Sequence, residues 1–341
     1  MDEDDPVLSH QAQAVSELAK HFNDVTVLTG RQGKFKEIAN VRVVSSRWIS
    51  NERLKSVLIF YSEFFKIIIS KKPNAIFSHM TEVQSCLIAP LVRILRIKHY
   101  LWYAHKSLSP YLRWNLIWIN QVFTSTLGSF PVITPKLSII GQAIDPSAFP
   151  FKTIKSLNNV SKLVHLGRFD PSKNISIIIE AALGFKLFEP NVQLTLIGSP
   201  SSEKSMREAK LILAKFSAVQ FANSIKFVNK IKRTDVSNEL LKYEVFIHAY
   251  NGSLDKTLLE ATLTGLPVVT INAEYLSIFG AWSNSKHLGA YFLIDELRAL
   301  ASINRVELEN KLVLRRNQVI SGHTLTNWGS LIAKYIKNDT N

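Results

Sequence analysis

Read from end to end, the chain alternates short β-rich runs with helix-length amphipathic segments, and it does so twice, with an irregular stretch between the two series. That alternation is the pattern of parallel sheets built from βαβ units, because parallel neighbours need a long crossover and a helix supplies it. In the first series the spacing of Val15, Leu18, Ala19 and Phe22 predicts a helix over Ser9 to Phe22. Strands are expected at VTVL (25 to 28) and VRVV (41 to 44), followed by a long helix over about residues 51 to 70. Further strands are expected at AIFS (75 to 78), YLWY (100 to 103), VFTS (122 to 125) and LSII (137 to 140), with Leu87 to Leu95 helical. The second series predicts strands at KLVHL (162 to 166), VQLTLI (192 to 197), IKFV (225 to 228), VFIH (245 to 248) and PVVT (267 to 270).

Between the two series, Gly141 to Ser161 concentrates Pro, Asn, Ser and Gly and reads as a linker. With 341 residues the chain exceeds the size at which one hydrophobic core stops growing, so two domains are expected. The fold class read from this is α/β with two Rossmann-like domains. Residues 1–148 form the first and residues 149–323 the second. A last amphipathic helix, with Leu325, Trp328, Leu331, Ile332 and Tyr335 on one face, packs back across the domains and is counted, as 324–341, with the first. One element is missing from this scheme. A Rossmann domain opens with an apolar strand and a Gly-containing turn, whereas this chain opens with MDEDDP and goes directly to a helix. Either the true start lies upstream, or the first domain tolerates an open edge in its sheet.

Charge narrows the partners. The excess of 41 Lys+Arg over 27 Asp+Glu gives +14, a field that draws in phosphate-bearing molecules. The single cysteine, Cys86, lies in SCLIAPLVRIL, which reads as a buried helix face, and a reducing compartment fits it. MDEDDPVLSHQ has no signal-peptide pattern, and apolar runs such as Phe64 to Ile69 stop well short of the ~20 residues of a bilayer span. The expectation is a cytoplasmic protein, with peripheral contact at the inner face of a membrane as a further one. SKKPN and YLRWNLIWIN, the basic and aromatic segments, read as ordinary helix faces. Nucleic acid is not expected as a partner, because the basic residues are scattered and no binding module is recognisable. No metal is expected either, since no His, Cys or acidic cluster has ligand spacing. The run Asp2 to Asp5 precedes a helix at the terminus and is read as solvated acid.

Two segments could carry chemistry. In HLGRFDPSKNISIIIEAA (165 to 182) a strand ends at Gly167-Arg168 and Lys173 opens a helix. Two cations beside the positive end of a helix dipole suit a diphosphate, and Gly167 allows close backbone approach; the alternative is a βα turn with two solvated charges. In HAYNGSLDKTLLEATLTGLPVVT (248 to 270) Glu260 is the only acid on an apolar helix. A carboxylate there suits the paired hydroxyls of a ribose; alternatively Ser253 or Asp255 caps the helix and Glu260 points to water.

Taken together and in this order, the two segments resemble the C-terminal domain of the large retaining glycosyltransferase family 4, in a form associated with a bacterial branch, and the resemblance covers nearly the whole chain. It implies the GT-B fold, with donor and acceptor meeting in a cleft between the domains. It implies that Gly167, Arg168 and Lys173 hold the diphosphate of a nucleotide-sugar donor and Glu260 its ribose. Gly198, in LTLIGSP, matches the family's strand-end glycine. Lys230 and Ile231, in FVNKI, match the loop whose backbone reads the base. His105, in WYAHK, matches a histidine near the transferred sugar, although by itself it reads as a structural histidine. GQAID (141 to 145) and TSTLGSF (124 to 130) resemble elements leading to the linker, and His10 falls near the acceptor pocket. The implied activity is transfer with retention and without metal to a glycan or lipid-linked glycan. One departure stands out: the family's first glutamate, eight residues before Glu260, is here Gly252. Ser253, Asp255 and Lys256 are the residues expected to substitute. A catalytically inactive nucleotide-sugar-binding paralogue or partner subunit is the alternative, and a GT-B epimerase or phosphorylase lacks supporting motifs.

Overall fold

The computed structural model describes residues 1–2, 9–49, 51–152, 160–217 and 222–340. They form two compact units, Met1–Ala143 with His323–Asn341, and Ile144–Gly322. Among the described residues no helix is long and apolar enough to cross a membrane.

The first unit runs α1 (Ser9–Ala19), β1 (Val25–Thr29), β2 (Val41–Ser45), α2 (Arg53–Lys71), β3 (Ala75–His79), α3 (Glu82–Ile94), β4 (Lys98–Trp102), α4 (Pro110–Trp118), β5 (Gln121–Thr124) and β6 (Leu137–Ile139). All its strand pairs are parallel, as the alternation predicts. The strands fall into two sheets, β1-β2 and β3-β4-β5-β6, so β1 and β3 each have a neighbour on one side only. Helices hold the two sheets together. Leu28 of β1 and Ile76 of β3 both pack against one cluster, built from Phe60 and Phe64 of α2 with Ile88 and Val92 of α3. At the end of β1 the Met1 ammonium donates to Thr29 Oγ1 (3.0 Å), and the Met1 carbonyl accepts from Gly33 N (2.8 Å).

The second unit runs β7 (Lys162–Leu166), α5 (Ile175–Phe185), β8 (Gln193–Ile197), α6 (Glu203–Ser217), β9 (Ile225–Val228), α7 (Val236–Leu240), β10 (Val245–His248), α8 (Lys256–Thr264), β11 (Val268–Thr270), α9 (Ala273–Phe279), α10 (Gly289–Ser302) and α11 (Arg305–Gly322). Its sheet, ordered β11-β10-β7-β8-β9, is wholly parallel. Chain order reverses at β7, so the loops after β7 and β10 open side by side at the carboxyl ends of the strands, the usual ligand position in open α/β sheets. The central strands are apolar on both faces, with one core under α5 and α10 and another under α8 and α9. The last helix, α12 (Leu325–Thr340), belongs to the first unit. Its Trp328 is fully buried against Phe77, His79 and Trp102.

Several expectations need correction. The first helix stops at Ala19 rather than Phe22, because the Asn40 side-chain amide takes the carbonyls of both Ala19 and Phe22 (2.7 Å each) and draws the chain out of the helix. β4 lies two residues earlier at its start than the YLWY pattern suggests. Cys86 is half-buried rather than core. The supposed linker is partly built into the second unit: Ile144 and Phe149 are core residues and Asp145 caps a 3-10 turn at Pro146–Ala148. Pro- and Ser-rich composition excludes regular structure, but it does not exclude packing. Residues 153–159 of that stretch, and residues 3–5 of the acidic run, lie outside the described residues.

α8 ends where Gly265 takes the left-handed conformation (φ 83°), and its N–H closes the helix onto Ala261 and Thr262. A Cβ at this position would also press on the Lys152 carbonyl and the Phe151 ring. Gly265→Ala is therefore expected to cost about 1–2 kcal/mol or more, measured as a lower denaturation midpoint, whereas no loss would mean that the cap is not strained.

Candidate functional site

The predicted donor residues converge on the carboxyl ends of β7, β8 and β10 in the second unit. β7 delivers Gly167, whose N–H donates to the Ile197 carbonyl (3.0 Å), and the next turn is laced to the loop after β8 by Phe169 N to Ser199 O (3.1 Å). Gly198 is required there, because a Cβ on it would run into the Gly167 carbonyl. Arg168 is about half exposed and lies 3.4 Å from Asp170. Burial would raise the Asp170 carboxyl, but hydrogen bonds led by Ser201 Oγ (2.5 Å), with the Arg168 charge, hold it below its ordinary value.

Lys173 ends a 3-10 turn at Pro171–Lys173, and the next residue, Asn174, sits in the left-handed region at the start of α5. The Asn174 side chain donates to the Ala249 carbonyl (2.9 Å), tying the α5 N-terminus to the loop after β10. Lys173 is itself nearly buried. Its ammonium makes a close ion pair with Asp255 and stands 4.0 Å from the Tyr250 ring centroid. Asp255 is the N-cap of α8 (Oδ1 accepts from Thr257 N, 3.3 Å), and its Oδ2 also lies 3.4 Å from His248 Nε2. His248 Nδ1 is 3.1 Å from Thr270 Oγ1. Burial pulls the His248 imidazole below its usual value, against the opposing pull of Asp255. Burial would raise Asp255, yet the Lys173 ammonium and the His248 bond outweigh it and hold the carboxyl well below 3.8. Behind Asp255, Lys256 is half-buried, and desolvation lowers its ammonium to about 8 against the pull of Glu260.

Glu260 does not point to water. It is 1% exposed, with Oε1 in a close ion pair with Arg233 and Oε2 buried without a hydrogen-bond partner among the described residues. Arg233 also faces the Phe149 ring (5.6 Å). It follows by two residues Ile231, which packs on the core beside α8, and Lys230 N donates to Ser199 Oγ (3.3 Å). The loop Tyr250–Ser253 is shaped by the buried amide of Asn272, whose Nδ2 donates to the carbonyls of Tyr250 (2.9 Å), Gly252 and Ser253. Ser253 is buried in this loop. At Gly252 a side chain would run into the Tyr250 ring, so the tyrosine fills the space a larger residue would need.

Thus Gly167, Arg168, Lys173, Gly198, Ile231, Ser253 and Asp255 lie on strand-end loops and Lys256 and Glu260 on α8, all in one unit. His105 and His10 belong to the other unit. His105 is exposed just after β4, 5.8 Å from the Tyr103 ring, and His10 on α1 is 5.9 Å from the His79 ring. Sequence reading missed Tyr250, His248, Arg233 and Asn272. The lone acid on an apolar helix signals that a cation is needed once it is buried, but the sequence does not single out Arg233, since Lys256 is nearer.

Comparison with known proteins fits this geometry. Residues 151–279 match the family model for glycosyl transferases group 1. No curated protein matches the sequence. Among solved structures, HepE of Anabaena, in complex with UDP and glucose, superposes with a TM-score of 0.75 at 14% identity, over 98% of each chain. The sucrose-phosphate synthase of Thermosynechococcus elongatus does so with 0.74 at 12% identity, over 97% of this chain and 92% of that one. The pneumococcal O-GlcNAc transferase GtfA, in complex with UDP and GlcNAc, follows with 0.59 at 15%, over 82% and 60%. The chain therefore has the GT-B fold of two Rossmann-like units.

The Lys173–Asp255 pair makes a pH prediction. A depressed native carboxyl contributes stability above its unfolded value and loses it as pH falls from 3.8 towards the lower native value. Asp255→Asn is expected to cost about 3 kcal/mol at neutral pH by leaving Lys173 without its counter-charge. In urea titrations the difference from the unsubstituted protein should shrink below pH 3.8; a difference constant with pH would refute the assignment.

Proposed function

We propose that this protein is a glycosyltransferase that moves a sugar from a nucleotide-diphosphate sugar to a glycan or lipid-linked glycan, with retention of configuration and without a metal ion. The observation that carries the reading is that one stretch, residues 151–279, both matches glycosyl transferases group 1 and contains the strand-end cluster from Arg168 to Glu260. Neighbours of the same fold bound to UDP make a UDP-sugar the first donor to test. In this reading Arg168 and Lys173 take up the negative charge that grows on the departing diphosphate, the electrostatic task a metal performs in other enzymes. Binding draws Lys173 away from Asp255 towards phosphate. Glu260 Oε2, which lacks a donor, accepts a ribose hydroxyl. The departing phosphate oxygen takes the acceptor proton, so no protein nucleophile is needed. His105 is assigned to the transferred sugar by the family resemblance.

A second reading, an inactive nucleotide-sugar-binding paralogue or partner subunit, is favoured by Gly252, which offers no side chain to a sugar and whose space Tyr250 fills. The two separate by assay: the first transfers or slowly hydrolyses the bound donor, and the second only binds it.

Calorimetry of the purified chain with UDP, GDP, ADP and UDP-glucose tests the shared part of both readings. One nucleoside diphosphate should bind, and Arg168→Ala should weaken it about tenfold or more without loss of fold, since Arg168 is exposed. Lys173→Ala and Glu260→Ala are expected to weaken it further. Unchanged affinity in all three would overturn the site assignment.

A further inference from the structure

In the first unit, the outer face of α4 stands out. At 3.6 residues per turn, Tyr111, Trp114, Ile117 and Trp118 fall on one arc of the helix, with Arg113 at its edge. Leu112 and Asn115 lie on the opposite arc and are fully buried. Asn115 fixes that orientation: its amide donates to the carbonyls of Glu82 (2.8 Å) and Tyr111 (2.9 Å) and accepts from Ser85 Oγ (2.8 Å). Held by its inner face, α4 cannot roll to hide the outer one. Tyr111 is 48% exposed, Trp114 44% and Ile117 63%, and the rings of Trp114 and Trp118 pack at 5.6 Å.

α3 packs along α4 and ends in two more exposed apolar residues, Ile94 and Leu95. At the end of α4, Lys136 Nζ donates to the Leu116 carbonyl (2.7 Å), and burial, with the charge of Arg93, lowers that ammonium. Between Glu82 and Asp145 the chain has no Asp or Glu, whereas it has Arg93, Arg96, Lys98, Lys106, Arg113 and Lys136. A contiguous apolar surface marks an interaction site. Trp and Tyr with short aliphatic neighbours, bordered by arginines and lacking carboxylates, are complementary to a lipid interface: the rings take the headgroup level and the guanidinium groups meet phosphate.

We propose that the α3–α4 face docks on an anionic lipid bilayer, with Tyr111, Trp114 and Ile117 entering the headgroup–acyl boundary and Arg93, Arg96 and Arg113 engaging lipid phosphates. The docking is interfacial, and it stands apart from the nucleotide reading, because it needs neither donor nor acceptor.

The full chain is tested by co-flotation with vesicles of phosphatidylcholine alone and of phosphatidylcholine doped with phosphatidylglycerol. Binding is expected to the doped vesicles only and to weaken with salt. Replacing Arg93, Arg96 and Arg113 by Gln one at a time should each weaken it about fivefold, and the double variant Trp114→Asp/Ile117→Asp should weaken it at least tenfold with an unchanged melting temperature. Because those side chains are exposed, a variant that unfolds would itself contradict the assigned surface; Trp114→Ser then measures the loss at lower cost. Three results overturn the proposal: no binding to doped vesicles, equal binding by the double variant, or a dimer in gel filtration that the double variant dissolves, which would make a second copy the occupant of this face.

Discussion

The ion pair between Lys173 and Asp255 is the interaction on which the second unit's strand-end loops depend. It joins the turn after β7 to the start of α8, across a sheet in which those two loops are neighbours only because chain order reverses at β7. Two nearly buried charges are costly to desolvate, and such a pair is tolerated where hydrogen bonds satisfy the remaining valences. Here His248, Thr257 and the face of Tyr250 supply those contacts. The result is a cation whose charge is cancelled by a carboxylate; under the proposed function it becomes available to an incoming phosphate when the two compete. The second buried pair, Arg233–Glu260, follows the same logic but leaves one carboxylate oxygen without a donor. A hydroxyl is the ligand group that such an oxygen accommodates at least cost.

Tyr250 links both features to the departure at Gly252. Its ring lies over the Lys173 ammonium and also fills the volume a side chain at Gly252 would occupy. The absence of a side chain at Gly252 and the position of the Tyr250 ring are therefore structurally coupled. Asn272 holds the loop in place, since the carbonyls of Tyr250, Gly252 and Ser253 all accept from its one buried amide. The first unit is organised differently. Its strands lie in two sheets held together by helices, and the same helical layer turns an apolar arc outward at α4.

The period of the apolar residues was enough to locate the sheets: KLVHL, IKFV and VFIH occupy the strands expected of them, residue for residue. The lone acid on an apolar helix was legible at Glu260, and the cations at a strand end and helix start were legible at Arg168 and Lys173. What could not be read was which partner each would meet. Arg233 is 27 residues from Glu260, and Asp255 is 82 from Lys173. Nothing local in the sequence registers a contact over such separations. The same limit applied to Gly141–Ser161, where composition spoke against regular structure and said nothing of Ile144 and Phe149 entering a core.

Local pattern therefore determined the class of this protein, parallel α/β in two series, because periodicity and turn chemistry act within a few residues of where they are written. Tertiary structure decided the electrostatic state of the site and the fate of the aromatic segment at 111–118. Both depend on which faces are left uncovered once distant elements pack. YLRWNLIWIN has the same composition whether its tryptophans face the core or the solvent, and it was the buried side chain of Asn115 that set the direction.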